Sequence, residues 1–149
     1  MTDLFFYGTL CHAPLLAAVL GRGDVALEPA VLPGHEVLWS AEGPWPVIRA
    51  AAGASAHGGL LRGASAEDVA RLDFYEGGFG YVTRDLPLSQ GRARVYLPPE
   101  GAPVAGPWVL AEWVQLWGAA AVATAPDVMA LRGQRTGPEV ARRYGPMLV

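Results

Sequence analysis

The chain opens on a short apolar run, Leu4 to Tyr7, with no polar position inside it. A run of that kind fits a strand buried on both faces. Gly8-Thr9 interrupts it, and Pro14 to Leu20 then reads as a short helix that Gly21 ends. Val25 to Leu32, Glu36 to Trp39 and Gly58 to Leu61 are further strand candidates, set apart by Gly and Pro turns. Ser65-Ala66-Glu67-Asp68 has the form of a capping box. Behind it, Val69 and Leu72 share one face of a helix that should stop near Gly77-Gly78. Tyr81 to Leu88 and Arg92 to Leu97 make a hairpin pattern around Gln90-Gly91. After Pro98-Pro99 the pattern turns helical. Pro107 suits the first position of a helix reaching Ala121. Thr124-Ala125-Pro126-Asp127 and Thr136-Gly137-Pro138-Glu139 look like two further helix starts. With strands mostly early and helices late, the expected class is α+β rather than a doubly wound sheet.

Composition narrows this picture without changing it. A chain of 149 residues with 52% hydrophobic positions can bury one proper core, and no linker divides it, so residues 1–149 are expected to form one domain. The net charge is −3, and only Arg92/Arg94 and Arg142/Arg143 approach a basic cluster. A nucleic-acid partner is therefore not expected. The most apolar stretch, Val109 to Ala125, is short for a bilayer span and carries Glu112 and Gln115, so no membrane role is expected either. Cys11 is the single cysteine and Asp3 stands where a signal peptide would be basic, which together point to the cytoplasm.

Several chemistries lack their residues. His12, His35 and His57 are each more than twenty positions apart, and no Cys-x-x-Cys occurs, so no metal site is expected. Walker, dinucleotide and nucleophile-elbow motifs are missing as well. Cys11-His12 suggests a thiolate pair, but sequence neighbours rarely face each other, and a small buried cysteine is the better reading.

Two segments remain. Tyr7-Gly8-Thr9-Leu10 joins the first strand to the first helix, where a glycine admits close backbone approach and free amides suit an anion. Taken alone, it reads better as a plain strand-to-helix turn that needs a glycine. In Leu72-Asp73-Phe74-Tyr75-Glu76-Gly77-Gly78, Asp73 and Glu76 are spaced to share a helix face. An acid at a helix C-terminus opposes the macrodipole, so Glu76 is an odd choice unless something uses it. Set among Phe74, Tyr75 and Phe79, its carboxyl could be raised toward a useful general base. The alternative is two solvated helix-end acids, with Asp73 paired to an arginine.

Together these segments resemble the γ-glutamylcyclotransferase-like (AIG2-like) family. Pro46-Val47-Ile48, His57-Gly58-Gly59-Leu60-Leu61, Tyr81-Val82-Thr83-Arg84 and Ala93-Arg94-Val95-Tyr96-Leu97 resemble its remaining strands, in order. The resemblance covers about residues 3–98 and leaves 107–149 as a helical extension. It implies a small mixed β-barrel flanked by helices. It also implies that Tyr7, Gly8, Thr9 and Leu10 hold the α-amino-acid end of a γ-glutamyl substrate, with Glu76 as general acid and base. The product would be 5-oxoproline and a free amine, with no cofactor. The other reading is a non-catalytic module of the same fold that binds a small molecule or a partner. Trp108, Trp113 and Trp117 read first as packing, and second as a surface for a partner or a second copy of the chain in a homodimer. Pro44-Trp45-Pro46 and the glycines around Phe79 would shape the pocket.

Overall fold

A computed structural model of the protein describes residues 1–77 and 80–134. Gly78, Phe79, the helix start expected at 136–139 and the Arg142/Arg143 pair lie outside the described residues. The class is α+β, as expected. A six-stranded mixed sheet has the order β4 (Val82–Leu88), β5 (Gly91–Leu97), β1 (Thr2–Phe6), β3 (Pro46–Ala64), β2 (Glu28–Ser40), β6 (Val104–Pro107). Strand β1 (Thr2–Phe6) sits at its centre, parallel to β5 (Gly91–Leu97) and antiparallel to β3 (Pro46–Ala64). That position explains its apolar run. Leu4 and Phe6 face a core shared with the helices, including Leu15, Leu16, Leu72 and Tyr96. Phe5 faces a second core with Leu32, Ile48, Leu60 and Val95.

Three expected strands are pieces of two long ones. Strand β2 (Glu28–Ser40) runs through Pro33-Gly34 and pairs with β3 almost throughout. The turn signal there becomes an irregularity in register, since Pro33 pairs with Ser55 but His35 with Ala50. Gly34 and Gly53 take φ of 74° and 78°, which a side chain would resist. Pro33 is tolerated because β6 (Val104–Pro107) pairs with β2 only at Leu38 and Ser40, so β2 has an open edge at Pro33. The hairpin of β4 (Val82–Leu88) and β5 forms as expected. Its tip is tied back to β2: the Ser89 amide donates to Val31 O at 3.0 Å, and Gln90 Nε2 to Pro29 O at 2.9 Å. These bonds curl the sheet toward a barrel.

The helices mix local and tertiary causes. Helix α1 (Ala13–Leu20) ends on left-handed Gly21. Helix α2 (Ala66–Glu76) starts with both halves of the expected capping box, Asp68 N to Ser65 Oγ and Ser65 N to Asp68 Oδ2, each 3.1 Å. Arg22 also binds Asp68, at 2.9 Å. The C-terminal expectations need correction. Pro107 begins no helix; it closes β6, opposite Leu38. Helix α3 (Leu110–Trp113) starts later and passes through a π-helical turn (Val114–Gly118) into α4 (Ala119–Ala130). Thr124-Ala125-Pro126-Asp127 starts nothing either and lies inside α4, where the Thr124 hydroxyl donates to Ala120 O. Burial of Ala121, Ala125, Val128 and Met129 holds the helix through its proline. The three tryptophans share no face. Trp108 precedes the helix and packs on Trp39 with ring centroids 4.4 Å apart, Trp113 is buried, and Trp117 is exposed. No helix among the described residues is long and apolar enough to cross a membrane.

Candidate active site

Four strand ends meet at one edge of the sheet. β5 ends beside the start of β4, the parallel β1 ends next to β5, and Pro46 at the start of β3 closes on Gly8 across the curl of the sheet, β1 itself pairing only with the far part of β3, Gly59 to Ala64. The last turn of α2 covers this junction. The result is a pocket of about 30 Å³, floored by Phe5 and Phe6 and lined by Tyr7, Gly8, Thr9, Leu10, Pro46, Glu76, Tyr81 and Tyr96. All five candidate residues from the sequence are therefore brought together.

Glu76 is the last residue of α2 and only 9% exposed. Burial alone pushes its carboxyl up from 4.5 to about 8, and none of the described ion pairs involves it. Four of the chain's five tyrosines, Tyr7, Tyr75, Tyr81 and Tyr96, lie close enough to feel its charge. Each phenol is raised above its ordinary value, first by burial. Tyr7 donates its hydroxyl to Tyr96 O at 2.7 Å, and the Tyr96 hydroxyl donates to Asp73 Oδ1 at 2.6 Å. Asp73 itself is exposed and outside the pocket, so it shares no site with Glu76 and takes a tyrosine, not an arginine, as partner. Tyr81 and Tyr96 are pocket residues that the sequence pattern marked only as strand positions. Of Pro44-Trp45-Pro46, only Pro46 reaches the pocket wall.

The turn Thr9–Cys11 is a single 3₁₀ turn, closed by Cys11 N to Gly8 O and His12 N to Thr9 O, both 3.0 Å. The amides of Gly8, Thr9 and Leu10 stand at its head with no acceptor inside the turn. Gly8 is a glycine for reasons of space. A Cβ there would overlap Pro46 Cγ. A side chain at position 8 would thus meet the pocket wall. Gly8→Val should displace Pro46 or the turn, at about 1–3 kcal/mol of stability. It should also lose ligand affinity, since both displaced parts line the pocket. Thermal melts and ligand titration check the two effects separately.

Cys11 and His12 point apart. Cys11 Sγ donates to Phe6 O at 3.1 Å, and burial pushes the thiol up to about 11. The His12 ring stands edge-on to Trp113. Cys11→Ala should leave the reaction rate unchanged in a direct assay. Among the described residues, no group of three His, Cys, Asp or Glu could hold a metal ion.

With this geometry in place, comparison with known proteins is direct. The profile of the family described as gamma-glutamyl cyclotransferase, AIG2-like, matches residues 4–115. The chain belongs to that family. The match runs beyond residue 98 and takes in β6 and α3. No curated protein matches the chain in sequence. Among solved structures, an Arabidopsis thaliana protein determined in solution is 20% identical with a TM-score of 0.63, covering 91% of this chain and 94% of its own. An uncharacterized Homo sapiens protein is 16% identical with a TM-score of 0.59, covering 89% and 83%. A structure named gamma-glutamyl cyclotransferase is 14% identical with a TM-score of 0.50, covering 87% and 86%. Identities this low establish the shared fold, a mixed sheet with flanking helices.

Proposed function

We propose that the protein is a cyclotransferase, which converts a γ-glutamyl amino acid or γ-glutamyl amine to 5-oxoproline and the free amine. The carrying observation is the buried carboxyl of Glu76, facing the Tyr7–Leu10 turn across one small pocket. The turn's free amides receive the α-carboxylate of the substrate. Glu76 takes a proton from the α-ammonium, and the freed amine attacks the substrate's own γ-carbonyl carbon. The ring closes, the γ-amide C–N bond breaks, and Glu76 returns the proton to the departing nitrogen. The second proton shed by the ring nitrogen ends on the released amine as its ammonium, so the α-nitrogen loses two protons and the departing nitrogen gains two, and the steps call on neither a metal nor a cofactor.

The proton affinities suit this exchange. A carboxyl raised to about 8 is a much stronger base than an ordinary glutamate near ~4.3, which brings it closer to an ammonium donor. Nucleophile and electrophile share one molecule, so holding the substrate folded can lower the barrier by about 7–11 kcal/mol. The single unpaired cysteine accords with a cytoplasmic setting.

Purified protein is incubated with a panel of γ-glutamyl amino acids and amines, and 5-oxoproline is read by mass spectrometry. Release by the native chain and not by Glu76→Gln supports the reading. No release across the panel, from folded protein, overturns it in favour of a binding module.

A further inference from the structure

Helix α2 is tied down differently along its length. Its first turn is held by Arg22 on Asp68 at 2.9 Å and by Arg132 on Glu67. Its middle is held by Arg71, whose Nε donates to Val19 O at 2.6 Å. The last turn, which carries Glu76, ends on Gly77 in the right-handed region at φ −66°, whereas Gly21 closes α1 in the left-handed one. Tyr96 of β5 reaches this last turn from the sheet, its hydroxyl donating to Asp73 Oδ1 at 2.6 Å. Asp73 is bound a second time through its backbone, where its carbonyl accepts from the Gly77 amide.

Tyr96 continues the line inward. It is only 6% exposed, and its backbone carbonyl accepts the Tyr7 hydroxyl at 2.7 Å. Tyr7 opens the turn that faces Glu76 across the pocket. Two short bonds therefore run from the helix that bears the carboxyl to the segment opposite it. They join residues 23 and 89 positions apart in the chain. The outer bond has a carboxylate as acceptor, the stronger kind. Its hold on the last turn matters because misplacing a reacting group by about 1 Å can cost about 10²-fold in rate.

We propose that Asp73 is a positioning residue: through Tyr96 it fixes the last turn of α2 against β5 and β1, and so sets the distance between Glu76 and the Tyr7–Leu10 turn. This inference rests on the cyclotransferase reading and gives that reaction a residue outside the pocket. Asp73 touches no reacting atom.

The test measures kcat, KM and melting temperature for Asp73→Ala, Asp73→Asn, Tyr96→Phe and the double variant Asp73→Ala/Tyr96→Phe. The substrate is the γ-glutamyl compound that the native protein turns over fastest. Asp73→Ala should lower kcat at least tenfold with KM within threefold, since the Tyr96–Tyr7 bond remains. Tyr96→Phe keeps its backbone carbonyl and should match it. The double variant should fall no further than either single, because all three lack the same bond. Asp73→Asn still offers an oxygen to the hydroxyl and should recover most of kcat. In the two slow single variants kcat/KM should level off at lower pH than in the native protein, as a loosened turn admits water to Glu76. The titratable groups near Glu76 are the phenols of Tyr7, Tyr75, Tyr81 and Tyr96, all raised and neutral there, so the shift reports Glu76. Native kcat in folded Asp73→Ala, a melting temperature lowered without loss of kcat, or losses that add in the double variant would each overturn the role of Asp73 and leave the cyclotransferase reading intact. If Asp73→Ala does not fold, Tyr96→Phe against Asp73→Asn decides in the same way. A native protein that releases no 5-oxoproline from any compound overturns both readings.

Discussion

Glu76→Gln should lower 5-oxoproline release at least a hundredfold, with substrate binding little changed. The amide is the same shape as a neutral carboxyl, and burial already favours that neutral form in the free protein. The fold and the pocket wall should therefore persist. What disappears is the ability to accept a proton, and a positioned base contributes typically ~10²–10⁴-fold. The pH profile carries the same logic. In the proposed reaction Glu76 starts ionised, so kcat/KM should rise with pH and level off near 8. An ordinary carboxylate would level off near ~4.3. A profile flat from pH 5 to 9 would remove Glu76 from the proton transfer, as would full activity of the amide variant.

The same substitution should stabilise the protein. Below pH 4.5 Glu76 is protonated whether the chain is folded or not, and it costs nothing. Between 4.5 and about 8 only the unfolded chain releases the proton, so stability drains away as pH rises. Above that range the loss is complete, on the order of 3–5 kcal/mol at 1.36 kcal/mol per unit. The amide of the Glu76→Gln variant has no such titration. The melting-temperature difference between variant and native protein should be small at pH 4 and large at pH 8. Gains in stability with loss of turnover mark a residue kept for chemistry.

That cost was half visible in the residues. An acid at a helix C-terminus is misplaced electrostatically, and the sequence alone shows that much. The local signals held: the Ser65–Asp68 capping box, the Gly21 helix stop and the Gln90-Gly91 turn of the β4–β5 hairpin all act within a few residues. Signals failed where distant segments decide. Pro33-Gly34 reads as a turn until β3 is seen to extend along both sides of it. Pro107 reads as a helix start until β2 claims it as a strand partner. Tyr81 and Tyr96 enter the pocket only because four strand ends converge, which no spacing along the chain encodes. Asp73 is the instructive case between these. Its place one helical turn before Glu76 follows from spacing alone, but the tyrosine that binds it, 23 residues on, is brought there by the fold.

Trp113→Ala should cost about 3–5 kcal/mol, and Trp117→Ala very little. The two indoles are four residues apart, yet Trp113 is 1% exposed and Trp117 is 38% exposed. The π-helical turn begins just after Trp113, and the extra residue in that turn rotates Trp117 away from the core face that a regular helix would give it. Trp113 is the largest fully buried side chain described, packed in the core shared by α1, α2 and α4 and edge-on to His12. Its truncation leaves a cavity that the surrounding helices can only partly fill. The indole N–H finds no acceptor among the described residues, so the tryptophan already carries an unmet donor. Trp113→Phe should consequently cost far less than alanine, because it gives up that donor along with part of the ring. Urea unfolding of the three variants separates the readings. A near-neutral Trp113→Ala would overturn the packing role assigned to Trp113. The expected order, alanine far below phenylalanine and Trp117→Ala close to native, assigns Trp113 to the core and leaves Trp117, beside exposed Leu116, as the tryptophan free to meet another molecule.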